Sequence, residues 1–381
     1  MLWQYSFVRI LIINILTSMA MYSLLLIDQW ILGRYFQENL SVAGAVVSVF
    51  GMGIFFYGPV ANYWLDCYSR KSVVLWALFF MLLFTVITLY RLPEWMYIVA
   101  RFMQGSSYGL FQIALGSTLL IDLTNTKKRT EAAHWYYWFS RFALALGPLS
   151  ALAFVKIFSW NHSIWLPAGM IFIAWLIMLR LHVPFRAPLE PRRFSCDRFL
   201  MLRAKILFFT LMPLSFLFGL FIPRNYTMTF YVLMFVGFVL AQAVHYIFFR
   251  KRDSRLLMLL GYASVTLVFV LQLLPYSSVL SANWMTPCLG VLLGAGGGML
   301  TSRYLIYFMR VAEHCERGTA QSSYMLGWES GLCLGFLCSS LLLPLEEKMI
   351  FLIGLGIVLL LSVYYFTKVH KWFLTNSRKG M

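Results

Sequence analysis

The sequence predicts an all-α membrane protein of about 12 transmembrane helices, arranged as two six-helix bundles with both termini in the cytoplasm. Hydrophobic residues make up 61% of the chain and charged residues only 12%, about half of the charged share in a soluble domain. The apolar residues fall into runs of about 20, the length of a helix that crosses a bilayer. Lysine and arginine concentrate in every second gap between these runs.

The runs define the predicted spans in order along the chain. We place spans at 6–31, 41–64, 72–90, 94–121, 132–157, 163–182, 205–223, 227–249, 256–274, 283–308, 318–344 and 348–368. The outward connections are only a few residues long, so they leave no room for an external domain.

The basic gaps predict the topology. One set of alternating gaps contains most of the positive charge, in particular Arg70, Lys71, Lys127, Lys128, Arg129, Arg250, Lys251, Arg252, Arg255, Arg310, Arg317, Lys368, Lys371, Arg378 and Lys379. The other set holds only Arg34, Arg91, Lys156, Arg224 and Lys348. Cytoplasmic loops carry such an excess of positive charge. The net charge of +17 is spread over separate short loops and forms no single stripe, which argues against nucleic-acid binding.

The longest connection, 183–204, divides the chain into two halves. We predict an N-terminal bundle at 1–182 and a C-terminal bundle with a short cytoplasmic tail at 205–381. The loop is rich in proline, which ends the sixth helix, and in arginine, which suits the anionic lipid headgroups of the cytoplasmic leaflet. A plan of six plus six helices is typical of secondary transporters.

Several function classes lack their required motifs. The six cysteines show neither metal-ligand nor disulfide spacing, so we expect no metal, no cofactor and no disulfide framework. The chain has no phosphate-binding glycine loop, which excludes an ATP-driven pump. Histidines such as His134, His162 and His314 are scattered over both sides, and they do not form the cluster that a membrane enzyme would need.

Three motifs resemble the major facilitator superfamily. The segment 59–71 resembles the family's loop between helices two and three: Asp66, Arg70 and Lys71 match, whereas Asn62 replaces the usual glycine and Cys67 the first arginine. The resemblance implies that this loop gates the cytoplasmic side by latching the two halves. The stretch from Arg101 through Gln104 to Gly105 is similar to the family's Arg-x-x-Gln-Gly pattern.

The third motif, Gly147-Pro148 in the fifth span, resembles the helix kink of the family's proton-driven exporters. It implies export. Gly-Pro in a membrane helix also has a plainer interpretation as a packing kink.

Charged residues inside the membrane are costly, so they are candidates for function. Glu329 lies about eleven residues into its span, roughly 16 Å deep and near the bilayer centre. A carboxylate there can exchange a proton or bind substrate, or else pair with a facing arginine. Arg101 and Arg141 are candidates for holding an anionic group or for pairing with Glu329. Asp28 either borders the outward cavity as a cation or proton site or is solvated at the interface.

Aromatic and small residues complete the candidate set. Trp328 offers a flat surface beside Glu329, and Trp138 precedes Arg141 in a helix expected to line the cavity; ordinary packing is the alternative for the aromatic residues. The glycines at 294–298 indicate either a bend that moves during gating or a packing face.

Together these features predict a secondary active transporter that exports a small organic solute by alternating access, coupled to protons. The alternatives are an importer of a sugar, an organic acid or another metabolite, and a sensory or assembly protein that transports nothing. We expect a monomer that contacts membrane lipids. The compact loops indicate a bacterial inner membrane.

Overall fold

The computed structural model describes residues 3–35, 40–90, 93–183, 193–224, 227–248, 254–274, 279–313, 315–342 and 346–377. Within these ranges the chain is almost entirely helical and has no β-strand. The helices are α1 (Tyr5–Tyr35), α2 (Leu40–Phe56), α3 (Gly58–Cys67), α4 (Arg70–Ile87), α5 (Glu94–Ala114), α6 (Leu120–Asp122), α7 (Arg129–Phe158), α8 (Trp165–Leu179), α9 (Lys205–Phe221), α10 (Met228–Phe248), α11 (Ser254–Leu273), α12 (Val279–Val311), α13 (Arg317–Leu341), α14 (Glu347–Tyr364) and α15 (His370–Asn376). The predicted all-α fold is confirmed. Arg91, the prolines of the central loop, the basic residues at 250–252, His314 and the tail from Arg378 lie outside the described residues.

Several predicted spans are interrupted helices. The span predicted at 41–64 consists of α2 and α3, which meet at a bend of 49°. Pro59, in the first turn of α3, has no N–H for the helical hydrogen bonds and explains the break. A π-helical turn, Leu115–Leu119, joins α5 to α6, and another, Tyr365–Val369, joins α14 to α15.

Nine helices of the described chain are long and apolar enough to cross a membrane, or ten if α2 and α3 form one span. Of the other two predicted spans, 94–121 corresponds to α5 with α6, and 318–344 corresponds to α13. Both carry more polar residues than a lipid-facing helix tolerates. Because α13 is buried along most of its length between α2 and α9, these polar groups face protein.

Corresponding helices of the two halves make corresponding contacts. In the first half α1 packs on α7 and α8, and α5 packs on α2 and α4. In the second half α9 packs on α13 and α14, and α12 packs on α10 and α11. The halves meet where α2 packs on α13 and where α7 packs on α10. These contacts form the two six-helix bundles that the sequence predicts.

Glycines let the helix backbones approach closely within each half. A Cβ at Gly105 of α5 would lie 2.0 Å from the Phe50 carbonyl oxygen of α2. A Cβ at Gly294 of α12 would lie 2.1 Å from the Met234 carbonyl oxygen of α10. Since α12 is one continuous helix, its glycine cluster acts as a packing face in this structure.

Candidate functional site

Glu329 of α13 is buried and is bonded across the two halves. Tyr22 of α1 donates a hydrogen bond of 2.6 Å from its hydroxyl to Oε1 of Glu329. The exposed fractions are only 2% for Tyr22 and 3% for Glu329. A buried carboxylate with a hydroxyl donor is well placed to exchange a proton or to change partners when the halves move.

Arg141 of α7 lies beside this pair; its side chain bonds to that of Tyr324 and forms no ion pair among the described residues. Its guanidinium carbon lies 3.9 Å from the centre of the Trp328 ring and 5.5 Å from that of Tyr324. Its Nε and Nη1 atoms have no hydrogen-bond partner, nor has the indole nitrogen of Trp328. Arg141 therefore stacks on the residue that precedes Glu329 and keeps two donors available.

Gly147 explains how α7 approaches the same place. A Cβ at this position would lie 2.7 Å from the Met19 carbonyl oxygen and 3.0 Å from Cβ of Tyr22. The helix continues through Pro148. Close packing of α7 on α1, beside Tyr22, is therefore the role that the structure gives to this motif.

Arg101 pairs with Asp28 and not with Glu329. Its Nη1 atom lies 2.9 Å from Oδ2 of Asp28 and donates a bond of 2.7 Å to Oε1 of Gln104. Gln104 in turn donates to the Phe84 carbonyl oxygen at 3.2 Å. Arg101 is 1% exposed and Asp28 4%, so Asp28 is not solvated at an interface. This group ties α1, α4 and α5 together within the first half.

A polar network next to Tyr22 was not predicted from the sequence. Asn14 of α1 donates to the Tyr136 carbonyl oxygen at 2.8 Å and to Oγ of Ser140 at 2.9 Å. Gln112 donates to the Tyr108 hydroxyl at 3.0 Å and accepts from the Tyr136 hydroxyl at 2.7 Å. A signal was available, because Asn14, Ser18 and Tyr22 recur every four residues on one face of α1.

Trp138 lies where α7 meets the second half. Its ring centre is 5.6 Å from that of Phe142 and 6.5 Å from that of Phe238. A Cβ on Gly298 would approach its ring to 2.9 Å. One turn earlier, His134 lies 3.3 Å from the side-chain oxygen of Gln242. Trp138 is thus part of the contact between the halves.

The predicted gating loop forms an ion-pair cluster at one end of the bundle, here called the Asp66 end. Arg198 donates to Asp66 at 2.7 Å, and Arg70 lies 3.9 Å from Asp66 and pairs with Asp122. Lys71 donates to the Leu179 carbonyl oxygen at 2.8 Å. The family pattern places an arginine where this chain has Cys67. Arg198, from the central connection, supplies a guanidinium to the aspartate instead.

Residues 195–201, here called the central strap, join the two halves at this end. The Ser195 amide donates to the Pro59 carbonyl oxygen of α3 at 3.0 Å. The Arg198 amide donates to Oγ1 of Thr319 at 2.9 Å, and the Met201 amide donates to Oγ of Ser323 at 2.7 Å. The strap therefore binds α3 on one side and α13 on the other.

Comparison with known proteins gives the family. Residues 10–336 match the family model of the Major Facilitator Superfamily. The chain belongs to this superfamily. A curated relative, the uncharacterized MFS-type transporter YtbD of Bacillus subtilis (strain 168), is 27% identical over 93 residues. That match spans 24% of this chain and 23% of the relative.

Solved transporters share the fold of this superfamily member. The POT family transporter PepTSo has a TM-score of 0.76 at 13% identity, with 99% of this chain and 100% of that chain covered. A bacterial homologue of the iron transporter ferroportin, in its outward-facing state, has a TM-score of 0.69 at 16% identity, with 95% and 99% covered. The nucleoside transporter NupG has a TM-score of 0.65 at 14% identity, with 95% and 98% covered.

The family confirms the coarse predictions of function. The chain is a multi-pass membrane protein of a family of secondary transporters, which are not enzymes. Among the described residues, no group of three or more His, Cys, Asp or Glu side chains is arranged to hold a metal ion.

Proposed function

We propose that this transporter couples the movement of a small organic solute to protons by alternating access, with Glu329 as the proton-carrying group. The bond between Glu329 and Tyr22 carries the proposal, since it joins the two halves through a titratable side chain. A hydrogen bond to an ionised group is roughly twice as strong as one between neutral groups. Protonation of Glu329 would weaken the contact between α1 and α13 and favour separation of the halves there.

Two directions are open to such a cycle. Export follows from the likeness of Gly147-Pro148 to proton-driven exporters. Uptake of an organic acid is favoured by Arg141, a buried cation with two donors free for an anionic group. Either cycle closes at the Asp66 end through the ion pairs of Asp66, Arg70 and Arg198 and opens when they separate.

We also propose the location, the oligomeric state and the domain division of the protein. The basic gaps support a bundle in the inner membrane of a bacterium, with both termini in the cytoplasm. The transporter would act as a monomer, and arginines of the central connection at 183–204 would meet anionic lipid headgroups. The same connection would separate a bundle at 1–182 from one at 205–381.

Proton flux into proteoliposomes containing a pH-sensitive dye tests the proposal. Pools of organic acids, sugars, antibiotics and dyes would be added to the wild type, to Glu329→Gln and to Glu94→Gln. The last variant makes the same chemical change at an exposed position. We expect one pool to trigger proton movement in the wild type and in Glu94→Gln, and a loss of at least ~10-fold in Glu329→Gln.

The sign of the flux decides the direction. Protons that move with the solute indicate uptake under an inward proton gradient, and protons that move against it indicate export. Solute transport that continues at the wild-type rate in Glu329→Gln, with its proton flux intact, would contradict the role of Glu329.

A further inference from the structure

The two buried arginines of the first half differ in how they are satisfied. Arg101 has an ion pair with Asp28 at 2.9 Å and a hydrogen bond to Gln104 at 2.7 Å. Arg141 is also buried, at 3% exposure, but it stacks on Trp328, bonds to the side chain of Tyr324 and interacts electrostatically with Glu329 without forming an ion pair among the described residues. A buried charge is costly unless it is paired and hydrogen-bonded. Within the described chain, two donor atoms of Arg141, Nε and Nη1, lack an acceptor, whereas for Arg101 Nε alone lacks one.

The groups around Arg141 indicate which kind of ligand would accept hydrogen bonds from its free donors. The indole nitrogen of Trp328 is a further buried donor without an acceptor. Tyr137 contacts Tyr324 edge to face, with ring centres 5.0 Å apart, and extends the aromatic wall. Donors that have no acceptor, beside flat apolar surfaces, match a ligand with an anionic oxygen group and an apolar body.

We propose that Arg141 binds the anionic oxygen group of the substrate, a carboxylate or a phosphate ester, with Trp328 beside it. The inference rests on the proposed role of Glu329 in proton coupling. An anionic oxygen group balances the charge of the guanidinium and accepts from a free N–H group, whereas a neutral solute leaves the charge unbalanced and a cationic solute is repelled. The substrate of this transporter is therefore an organic anion.

The position of Glu329 links this anion to the proton. The ionised carboxylate acts electrostatically on Arg141 and competes with an incoming anion. A neutral Glu329 leaves the full charge of Arg141 to the ligand. Proton and anion therefore favour each other's binding and travel in the same direction. Of the two candidate directions, export and uptake, this supports uptake.

Thermal unfolding of the purified protein with probes of similar shape and different charge tests the anion site. The probes are phenylacetate, phenyl phosphate, neutral phenylacetamide and cationic phenethylamine. We expect one or both anions to raise the melting temperature in a saturable way, and the amide and amine to have no such effect. The two anions distinguish a carboxylate substrate from a phosphate ester.

Variants assign the effect to Arg141. Arg141→Gln should weaken binding of the anion at least ~10-fold, and Arg141→Lys should keep part of it, which guards against a simple folding defect. Arg203→Gln removes an arginine from an exposed ion pair and should bind like the wild type. Glu329→Gln should bind the anion at least as tightly as the wild type.

The inference is overturned if the amide or amine stabilises the wild type as well as the anions do. It is also overturned if neither anion stabilises the wild type, or if Arg141→Gln keeps the full effect. A failure of the proposed proton coupling is separate, because it appears as unchanged proton flux in Glu329→Gln whatever the probes do.

Discussion

Tyr22 and Glu329 lie 307 positions apart in the chain, yet their side chains form the central bond between the two halves. Replacing Tyr22 by Phe would leave the carboxylate buried without this donor. A hydrogen bond to a charged group contributes about 1.5–3 kcal/mol, and a buried group left unsatisfied is costly. Because the bond crosses between the halves, the loss would act on the conformation in which they are joined.

We therefore predict that Tyr22→Phe opens the contact between α2 and α13. Cys333 reports this, since it is 5% exposed and packs where Gly51 of α2 meets α13. With Cys333 as the sole cysteine, maleimide labelling should be roughly 10- to 100-fold faster in Tyr22→Phe. The control is Tyr262→Phe, which loses a bond of 2.9 Å to Tyr304 inside the second half. Equal labelling in both variants would contradict the prediction.

Charge made part of the site visible in the sequence. Glu329, Arg101 and Asp28 stand out because ionisable residues are rare in apolar runs. How they pair could not be predicted in the same way, because the choice of Asp28 over Glu329 by Arg101 depends on how α1 and α5 pack. Hydropathy does not single out Tyr22, and its spacing of four residues from Ser18, and of eight from Asn14, is the signal that marks it.

At the scale of elements, the central strap supplies Arg198 as the partner of Asp66, because Cys67 stands where the family pattern has an arginine. The motif around Asp66 could be read locally, but its arginine partner, Arg198, lies 132 positions away. Helix lengths followed from apolar runs, whereas the bend at Tyr57 and the π-helical turns depended on Pro59 and on packing. Local patterns thus predicted the helices and missed the connections between them.

Removing the hydroxyls on α13 that hold the strap should release it. In Thr319→Val with Ser323→Ala, the amides of Arg198 and Met201 lose their acceptors, at about 0.5–1.5 kcal/mol for each bond. Tryptic cleavage after Arg198 should then be roughly 5- to 100-fold faster. Ser322→Ala, whose hydroxyl bonds only within α13 at Gly318, is the matched control. Cleavage at the wild-type rate in the double variant would show that the strap is held by other contacts.

At the scale of the whole molecule, the structure gathers basic side chains at one end of the bundle. Arg70, Lys71 and Arg198 meet there through their contacts with Asp122, Leu179 and Asp66. At the opposite end, Trp30 stacks on Trp160 with ring centres 4.8 Å apart, as expected of an aromatic belt. The alternating loops predict this cluster of basic side chains at one end.

This asymmetry predicts the orientation in the membrane. Loops rich in Lys and Arg are retained in the cytoplasm, so the Asp66 end should face inward and both termini with it. A green fluorescent protein fused after Ser377 should fluoresce, and alkaline phosphatase fused there or after Ser69 should be inactive. Alkaline phosphatase fused after His162, in an outward connection, should be active. The reverse pattern would place the Asp66 ion pairs outside and would make them an outward gate, so the fusions test the assigned gating as well as the topology.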